Sequence, residues 1–206
     1  MTWALFNDVA QRILSGDKWE QRSNLCRRLR QIALPPGSKA MDFGCGTGLF
    51  ARVFVEEGFK YVGYDIDDRL IAYAARLYPS CRFTTSDEVL KREGPFDFIY
   101  ANCCFHHIKD ELLSIELERI KSLLADNGVF FVLDILRVEN DRSPLHRLFM
   151  MFEQGEYVRT IEGYQDLVER HFLINGVDIE RSHLFSIKHR LNPLYNDLAV
   201  FACSKY

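Results

Sequence analysis

The sequence of 206 residues predicts an α/β fold, with helices covering both faces of a largely parallel sheet. The first observation is that short apolar runs alternate with segments that carry apolar residues at helical spacing. The second is the run Phe96–Asn102, which is apolar apart from Asp97 and is typical of a strand covered on both faces. A chain of this length is expected to form one domain, residues 1–206, with a sizeable core.

The first half of the chain begins with a helical arm, residues 1–36. Its pattern predicts two helices separated near Ser15-Gly16-Asp17, and Pro35-Pro36-Gly37 ends the second. Thr47 is the predicted N-cap of the helix after the first strand, and Gly58 is its stop. In order, the patterns predict a strand from residue 39, a helix over 47–57, a strand over 61–66, a helix over 68–78, a strand over 81–85 and a strand over 96–102.

The second half of the chain continues the alternation of strands and helices up to residue 136, and the pattern then changes. A helix is predicted over 110–124, ended by Asn127-Gly128, and a strand over 129–136. A helix over 162–172 and strands near 174–184 and 194–204 follow. Residues 137–160, between the strand over 129–136 and the helix over 162–172, have little periodicity but are rich in large apolar side chains. We interpret this insertion and the arm as a lid. Plain packing of both segments on the domain remains open.

Charge and composition narrow the classes of function. The net charge of −3 gives no electrostatic case for a nucleic-acid partner, so none is expected. Neither a membrane span nor a secretory signal is expected, because long apolar runs are absent. The six cysteines lack metal-binding spacing, so we expect reduced thiols in a cytoplasmic protein and no metal site.

A glycine-rich motif follows the first predicted strand: Asp42-Phe43-Gly44-Cys45-Gly46-Thr47-Gly48. Glycines allow a sharp turn and close approach of a ligand to main-chain N–H groups. The spacing differs from that of dinucleotide enzymes, and no lysine of a P-loop follows. Asp65, after the second strand, can accept two ribose hydroxyls, while Asp42 can hold an ammonium group. The pattern indicates a ligand with adenosine and an amino acid but no pyrophosphate.

These residues resemble the class I S-adenosylmethionine-dependent methyltransferases, nearest to the ubiquinone/menaquinone-methyltransferase-like small-molecule branch. The resemblance is carried by the glycine-rich motif, Gly63-Tyr64-Asp65-Ile66, Phe96-Asp97-Phe98-Ile99-Tyr100-Ala101-Asn102, Phe105-His106-His107-Ile108 and Leu123-Leu124-Ala125-Asp126-Asn127-Gly128. It implies a Rossmann-like doubly wound sheet of seven strands, in the order 3-2-1-4-5-7-6 with the last strand antiparallel. It also implies S-adenosyl-L-methionine as cofactor and S-adenosyl-L-homocysteine as product.

The resemblance assigns cofactor contacts to residues after four strands. They are Asp42, Gly44, Cys45 and Gly46 after or near the end of the first, Asp65 and Ile66 after the second, Asp87 and Glu88 after the third, and Asn102 and Cys103 at the fourth. Asp87 and Glu88 are equally well explained as ordinary acids at a helix start. Buried thiols usually behave as small apolar groups, so Cys103 and Cys104 are not expected to act as nucleophiles.

Two histidines, His106 and His107, are the candidate catalytic residues, since imidazole takes up a proton near neutral pH. They follow Asn102-Cys103-Cys104-Phe105, where amino-methyltransferases have Asn-Pro-Pro-Tyr. The missing prolines argue against methylation of a nucleobase or protein amine. The candidate substrate-binding residues are Phe105, Met151, Tyr157 and Arg159; the last two could anchor a phenol, carboxylate or phosphate.

We therefore expect methyl transfer to oxygen or carbon of a small, partly apolar metabolite. Two alternatives remain at this stage: a protein that binds the cofactor without transferring its methyl group, and an enzyme acting on nucleic acid or protein. A dinucleotide-dependent oxidoreductase is disfavoured by the glycine spacing.

Overall fold

A seven-stranded sheet forms the centre of the fold in a computed structural model that describes residues 18–137, 156–183 and 195–206. The helices are α1 (Lys18–Ile32), α2 (Ala51–Glu56), α3 (Asp68–Leu77), α4 (Asp87–Glu93), α5 (Asp110–Leu123) and α6 (Ile161–Glu169). The strands are β1 (Lys39–Phe43), β2 (Lys60–Tyr64), β3 (Arg82–Thr84), β4 (Phe96–Asn102), β5 (Leu124–Ile135), β6 (Leu173–His183) and β7 (Tyr195–Ser204). A 3₁₀ turn, Phe105–His107, joins β4 to α5 and is called the histidine turn below.

The strand order is β3-β2-β1-β4-β5-β7-β6. Strands β1 to β5 run parallel, and β7 runs antiparallel to both β5 and β6. The predicted Rossmann-like sheet and its strand order are confirmed. The order reverses between β1 and β4, where Phe43 pairs with Ala101, so the loops that follow these two strands lie side by side.

Helices bury both faces of the sheet. On one face, Leu25 and Leu29 of α1 pack with Phe54 of α2 against the strands. On the other, Leu117 of α5 and Tyr164 of α6 do the same. Successive strand residues point to opposite faces, so both sets of positions must be apolar. This explains why β4 is an almost continuous apolar run.

The helix after β1 begins later than predicted. It starts at Ala51, so the N-cap prediction for Thr47 is wrong, and the residue at the cap, Phe50, makes no side-chain bond there. Glycines 44, 46 and 48 all have positive φ, and the chain continues to turn through residue 50. The glycine that ends the helix, Gly58, has the expected left-handed conformation at φ +86°.

The boundary between α5 and β5 also differs from the prediction. Strand β5 begins at Leu124, directly after α5, rather than at Val129. Asn127-Gly128 therefore lies within the strand, opposite a register shift between Phe96 and Phe98. A bulge of this kind accommodates extra residues in one strand, which is why turn-forming residues occur there.

The two segments interpreted as a lid are described in part. The second helix of the arm is confirmed as α1, whose Leu25 and Leu29 are buried against the sheet. The first predicted helix and residues 138–155 lie outside the described residues. The insertion leaves and rejoins the sheet at one point, because Leu136 forms a bridge to Arg159 and the Arg137 N–H donates to the Arg159 carbonyl at 2.8 Å. A lid function stays a prediction.

Candidate functional site

The glycine turn, residues 44–48, sits between the ends of β2 and β4. The N–H groups of Gly44 and Cys45 donate to the Tyr64 carbonyl at 2.8 and 2.9 Å, which ties the turn to β2. Gly44 has φ +71°, and a Cβ placed there would lie 2.7 Å from Cβ of Cys104. Glycine is therefore required by both conformation and space. The turn after β1 and the loop after β4 are in direct contact.

Asp65 follows β2 and faces the glycine turn. Its carboxylate accepts from the N–H of Gly46 at 2.9 Å and from that of Asp67 at 3.0 Å. Burial raises the pKa of this carboxyl, partly offset by these hydrogen bonds. A carboxylate can accept about four hydrogen bonds, so two acceptor positions suit the hydroxyls of a ribose. The adjacent Ile66 is 84% exposed, an unusual position for a large apolar side chain and one suited to a flat aromatic base.

Asp42 is buried at the end of β1. Its carboxyl accepts from the Tyr61 hydroxyl at 3.0 Å. Burial raises its pKa to about 7, the Tyr61 hydrogen bond opposes the rise, and the charge of Asp65 adds to it. A buried acid next to a glycine turn fits the ammonium group of an amino-acid ligand, because a cation would replace the lost hydration. Contacts of Asp42, Asp65 and Ile66 with the cofactor stay predictions.

Asp87 and Glu88 occupy the first turn of α4, which is capped by Ser86. Asp87 forms an ion pair with Arg119 of α5, and this guanidinium also lies over the Tyr64 ring, 4.4 Å from its centroid. Through this ion pair, Asp87 links α4 to α5. A contact of Asp87 or Glu88 with the adenine edge stays a prediction.

The residues at the end of β4, Asn102 and Cys103, are partly exposed. The side-chain amide oxygen Oδ1 of Asn102 accepts from the Tyr100 hydroxyl at 3.2 Å. Cys103 adopts a left-handed conformation at φ +49°, with its N–H donating to the Leu133 carbonyl at 2.7 Å. Burial raises the pKa values of the Cys45 and Cys104 thiols well above the usual range, so these thiols stay protonated at neutral pH and are poor nucleophiles.

The two candidate catalytic histidines have different environments. His107 is exposed, whereas the side chain of His106 is only 2% exposed, and their ring centroids are 4.0 Å apart. Nδ1 of His106 lies 2.5 Å from the Asp134 carboxylate, which is 1% exposed and also accepts from the Phe105 N–H at 2.6 Å. The histidine turn is thus fixed to the end of β5 by one buried acid.

Sequence reasoning missed Asp134. The signal was present, because it is the one charged residue in the apolar run from Val129 to Leu136. A buried carboxylate is rare without hydrogen-bond partners. Its position next to the end of β4 becomes apparent only when β4 and β5 are placed in register, with Asn102 beside Leu133.

The structure brings three of the candidate substrate-binding residues, Phe105, Tyr157 and Arg159, together at the histidine turn. Phe105 is fully buried and packs against Phe43 and Phe130 in the core. The N–H of Tyr157 donates to the His106 carbonyl at 3.0 Å. Met151 lies outside the described residues. A substrate contact stays a prediction for all of these positions.

Arg159 is 8% exposed, and its guanidinium has several protein partners. It donates to the Asp110 carboxylate at 2.6 and 2.9 Å, and to the main-chain carbonyls of Phe105, Tyr157 and Ile108 at 3.0, 2.9 and 2.5 Å. These bonds give the guanidinium hydrogen-bond partners within the protein, without a substrate. Arg159 holds the histidine turn against the base of the insertion, a role that the sequence did not indicate.

The glycine turn, the acid after β2 and the histidine turn after β4, on this strand order, define a class I S-adenosylmethionine-dependent methyltransferase. Residues 18–174 match a family model described as a methyltransferase domain. The chain belongs to this family, and the resemblance inferred from its motifs is confirmed.

Individual relatives agree with this placement. The 2-methyl-6-phytyl-1,4-hydroquinone methyltransferase of Synechocystis is 23% identical over 69% of this chain and 48% of its own. A ubiquinone biosynthesis O-methyltransferase of Rhodopseudomonas palustris is 29% identical over 54% of this chain and 45% of its own. The chain spans about half the length of these two curated relatives. A TehB-like SAM-dependent methyltransferase from Corynebacterium glutamicum has the same fold, with a TM-score of 0.63 at 18% identity over 97% of both chains.

None of the helices in residues 18–137, 156–183 and 195–206 is long and apolar enough to cross a membrane. Over the same residues, His, Cys, Asp and Glu side chains form no group of three or more that could hold a metal ion.

Proposed function

We propose that the protein transfers the methyl group of S-adenosylmethionine to an oxygen or carbon atom of a small, partly apolar acceptor. The observation that carries the proposal is the contact between the glycine turn and the loop after β4, where Gly44 meets Cys104. This contact puts the residues suited to the cofactor beside the histidine turn. An in-line methyl transfer needs this adjacency, because acceptor and methyl group must be aligned at close range.

The cofactor side is formed by this chain's own residues. Asp65 would hold the ribose hydroxyls, Ile66 would cover the adenine, and Asp42 would hold the ammonium group. Gly44, Cys45 and Gly46 would line the methionine part, with Asn102 and Cys103 on the opposite side. When bound, S-adenosylmethionine supplies a methyl group already activated by its sulfonium.

The acceptor side contains the histidine turn and the base of the insertion. An imidazole there would take the proton of a hydroxyl acceptor. The names of two relatives refer to a hydroquinone and to ubiquinone biosynthesis, which supports a phenolic ring as the acceptor class. The formal net charge of −3 favours a small molecule over nucleic acid.

Calorimetry with S-adenosylmethionine, S-adenosylhomocysteine and NAD tests the cofactor assignment. The first two should bind and NAD should not. Asp65→Ala should weaken S-adenosylhomocysteine binding roughly 10²- to 10⁴-fold, since two hydrogen bonds to a charged group are lost. The matched control is Asp67→Asn, at the N-cap of α3, which should leave the affinity unchanged. Equal affinities of wild type and Asp65→Ala would refute the ribose assignment.

A panel of hydroquinones, catechols and other phenols tests the transferase activity. Formation of S-adenosylhomocysteine together with a methylated product would support the proposal. Tight cofactor binding with no methyl release to any member would favour the alternative, a protein that binds the cofactor without transferring its methyl group.

A further inference from the structure

A groove with an excess of positive charge lies between α1 and α2 and is called the arginine groove below. Its volume is about 690 Å³. It is lined by Arg22, Arg27 and Arg30 of α1 and by Arg52 of α2, while Glu56 is the one acid among its described lining residues. The formal net charge of the whole chain is −3, so this concentration of guanidinium groups is a local feature.

Two of these four guanidinium groups are paired with acids. Nε and Nη2 of Arg30 donate to the Glu57 carboxylate at 3.0 and 2.6 Å, and Nε of Arg52 donates to Glu56 at 2.6 Å. The side chains of Arg30 and Arg52 are 72% and 68% exposed in the described part of the chain. Because a guanidinium has five N–H donors, both arginines keep donors that a ligand in the groove can use.

The other two arginines have no acid of their own. Arg22 is half-buried, and its guanidinium makes no ion pair or side-chain hydrogen bond with any other residue of the described ranges. The carboxylate paired with Arg27, that of Glu180, is 3.7 Å away and also pairs with Arg28 at closer range. Burial removes part of the hydration of a cation, so a half-buried guanidinium without a counter-charge is unfavourable. An anionic ligand would balance the charge of Arg22 and Arg27.

The spacing and the chemistry of these side chains indicate which anion fits. Arg22 and Arg27 are about 7.5 Å apart along the axis of α1. Because both side chains line the groove, they can approach one ligand from two directions. A planar guanidinium binds phosphate oxygens through two parallel hydrogen bonds. The volume of the groove lies within the range of about 300–1,000 Å³ that is usual for small-molecule sites.

We propose that the arginine groove binds a small molecule that carries a diphosphate group. The diphosphate oxygens accept hydrogen bonds from Arg22 and Arg27 together, with Arg30 and Arg52 at the rim. None of the residues predicted to contact the cofactor or the methyl acceptor is among the described residues that line the groove. The proposal therefore goes beyond the proposed function, and either of the two can fail without the other.

Calorimetry with inorganic pyrophosphate tests the proposal on the full chain, with S-adenosylhomocysteine present and the ionic strength held constant. Pyrophosphate should bind to the wild type. Arg22→Gln and Arg27→Gln should each weaken pyrophosphate binding about 10-fold, and the double variant about 10²-fold, because each change removes hydrogen bonds between charged groups. The affinity for S-adenosylhomocysteine should be the same in all of these variants as in the wild type.

The matched control is Arg76→Gln on α3. Arg76 is also an exposed helical arginine, whose Nε donates to the Ala72 carbonyl at 3.2 Å, but it does not line the groove. This variant loses the same charge and should bind pyrophosphate as tightly as the wild type. Absence of pyrophosphate binding to the wild type would overturn the proposal, as would equal weakening in Arg76→Gln and Arg22→Gln. Binding of phosphatidylglycerol vesicles without binding of pyrophosphate would also overturn it, because the groove would then be part of a membrane-facing surface.

Discussion

Asp42 illustrates how a single buried residue can link ligand binding to pH. Its carboxyl has a pKa of about 7 in the folded chain because it is buried, against an ordinary value of 3.8. Between these two values the folded state holds a proton that the unfolded chain has released. Stability of the ligand-free protein should therefore fall as pH rises through this window.

The affinity for S-adenosylhomocysteine should change in the opposite direction. Only the ionised Asp42 carboxylate attracts an ammonium group, so affinity should rise between about pH 5 and pH 7. Calorimetry across this range checks the prediction. Asp42→Asn should bind S-adenosylhomocysteine more weakly than the wild type, with an affinity that is nearly independent of pH. Tyr61→Phe removes a hydrogen bond that lowers the pKa of Asp42, so the midpoint should move to higher pH. A flat profile in the wild type would contradict the assigned role.

At the scale of residues, the sequence predicted the structure best where a position has an unusual conformational requirement. The glycine turn could be predicted because its conformation is local to one loop, while cofactor contacts of Gly44, Gly46 and Asp65 stay predictions. The role of Asp134 could not be predicted, because its hydrogen-bond partners Phe105 and His106 follow the neighbouring strand β4. Arg159 was assigned to a substrate for the same reason, since its partners Asp110, Phe105 and Ile108 are 49 to 54 residues away along the chain.

At the scale of elements, Arg159 is the residue that joins the histidine turn to the end of the insertion. Removing it in Arg159→Ala leaves three main-chain carbonyls and the Asp110 carboxylate without this partner. We expect a loss of about 2–4 kcal/mol in the free energy of unfolding, measured with urea. The control is Arg52→Ala, whose exposed pair with Glu56 should contribute at most about 0.5 kcal/mol. If Arg159→Ala lost as little unfolding free energy as Arg52→Ala, the Arg159 guanidinium would be available to a substrate.

The glycine turn offers a second test at this scale. Gly44→Ala places a methyl group against Cys104, while Gly37→Ala has a similar positive φ with open space around it. The two variants therefore have a similar backbone penalty, but only Gly44→Ala creates a steric contact. Gly44→Ala should lower the free energy of unfolding by about 1–3 kcal/mol more than Gly37→Ala, and it alone should weaken S-adenosylhomocysteine binding. Similar losses in the two variants would argue against close packing of the two loops.

Elements with strong periodicity were predicted nearly to their ends, as β4 and α3 show. The start of α2 was not, because three glycines with positive φ extend the turn beyond the point at which apolar spacing begins. The boundary between α5 and β5 was missed because a bulge carries the same turn-forming residues as a loop.

At the scale of the whole molecule, the first and last parts of the described chain meet across the sheet. Arg28 of α1 pairs with Glu180 of β6 and lies over the Phe131 ring, 4.9 Å from its centroid. The side chains of the pair are only 16% and 18% exposed. The contact joins α1 to the edge strand β6.

Glu180→Gln should therefore lower the free energy of unfolding by about 1–2 kcal/mol, between the values for exposed and buried pairs. Urea unfolding provides the measurement, and cofactor affinity should be unaffected. Glu56→Gln, in an exposed pair with Arg52, is the control and should change stability by less than about 0.5 kcal/mol. A loss of cofactor affinity in Glu180→Gln would indicate that α1 contributes to the ligand site.

The sheet order followed from the family resemblance, whereas the alternation of elements followed from the residues themselves. Periodicity identifies which segments are strands, but neighbours in the sheet are chosen by packing between distant segments. The antiparallel position of β7 between β5 and β6 is an example that spacing alone does not contain.

The bridge between Leu136 and Arg159 has a consequence for how such enzymes diversify. Because Leu136 and Arg159 form this bridge, both ends of the stretch between them are fixed at neighbouring points of the domain. Its length and composition can then be exchanged between proteins without displacing a strand. Grafting the stretch from a relative with a different acceptor, while keeping both bridge residues, should preserve the thermal transition and alter only which compound is methylated.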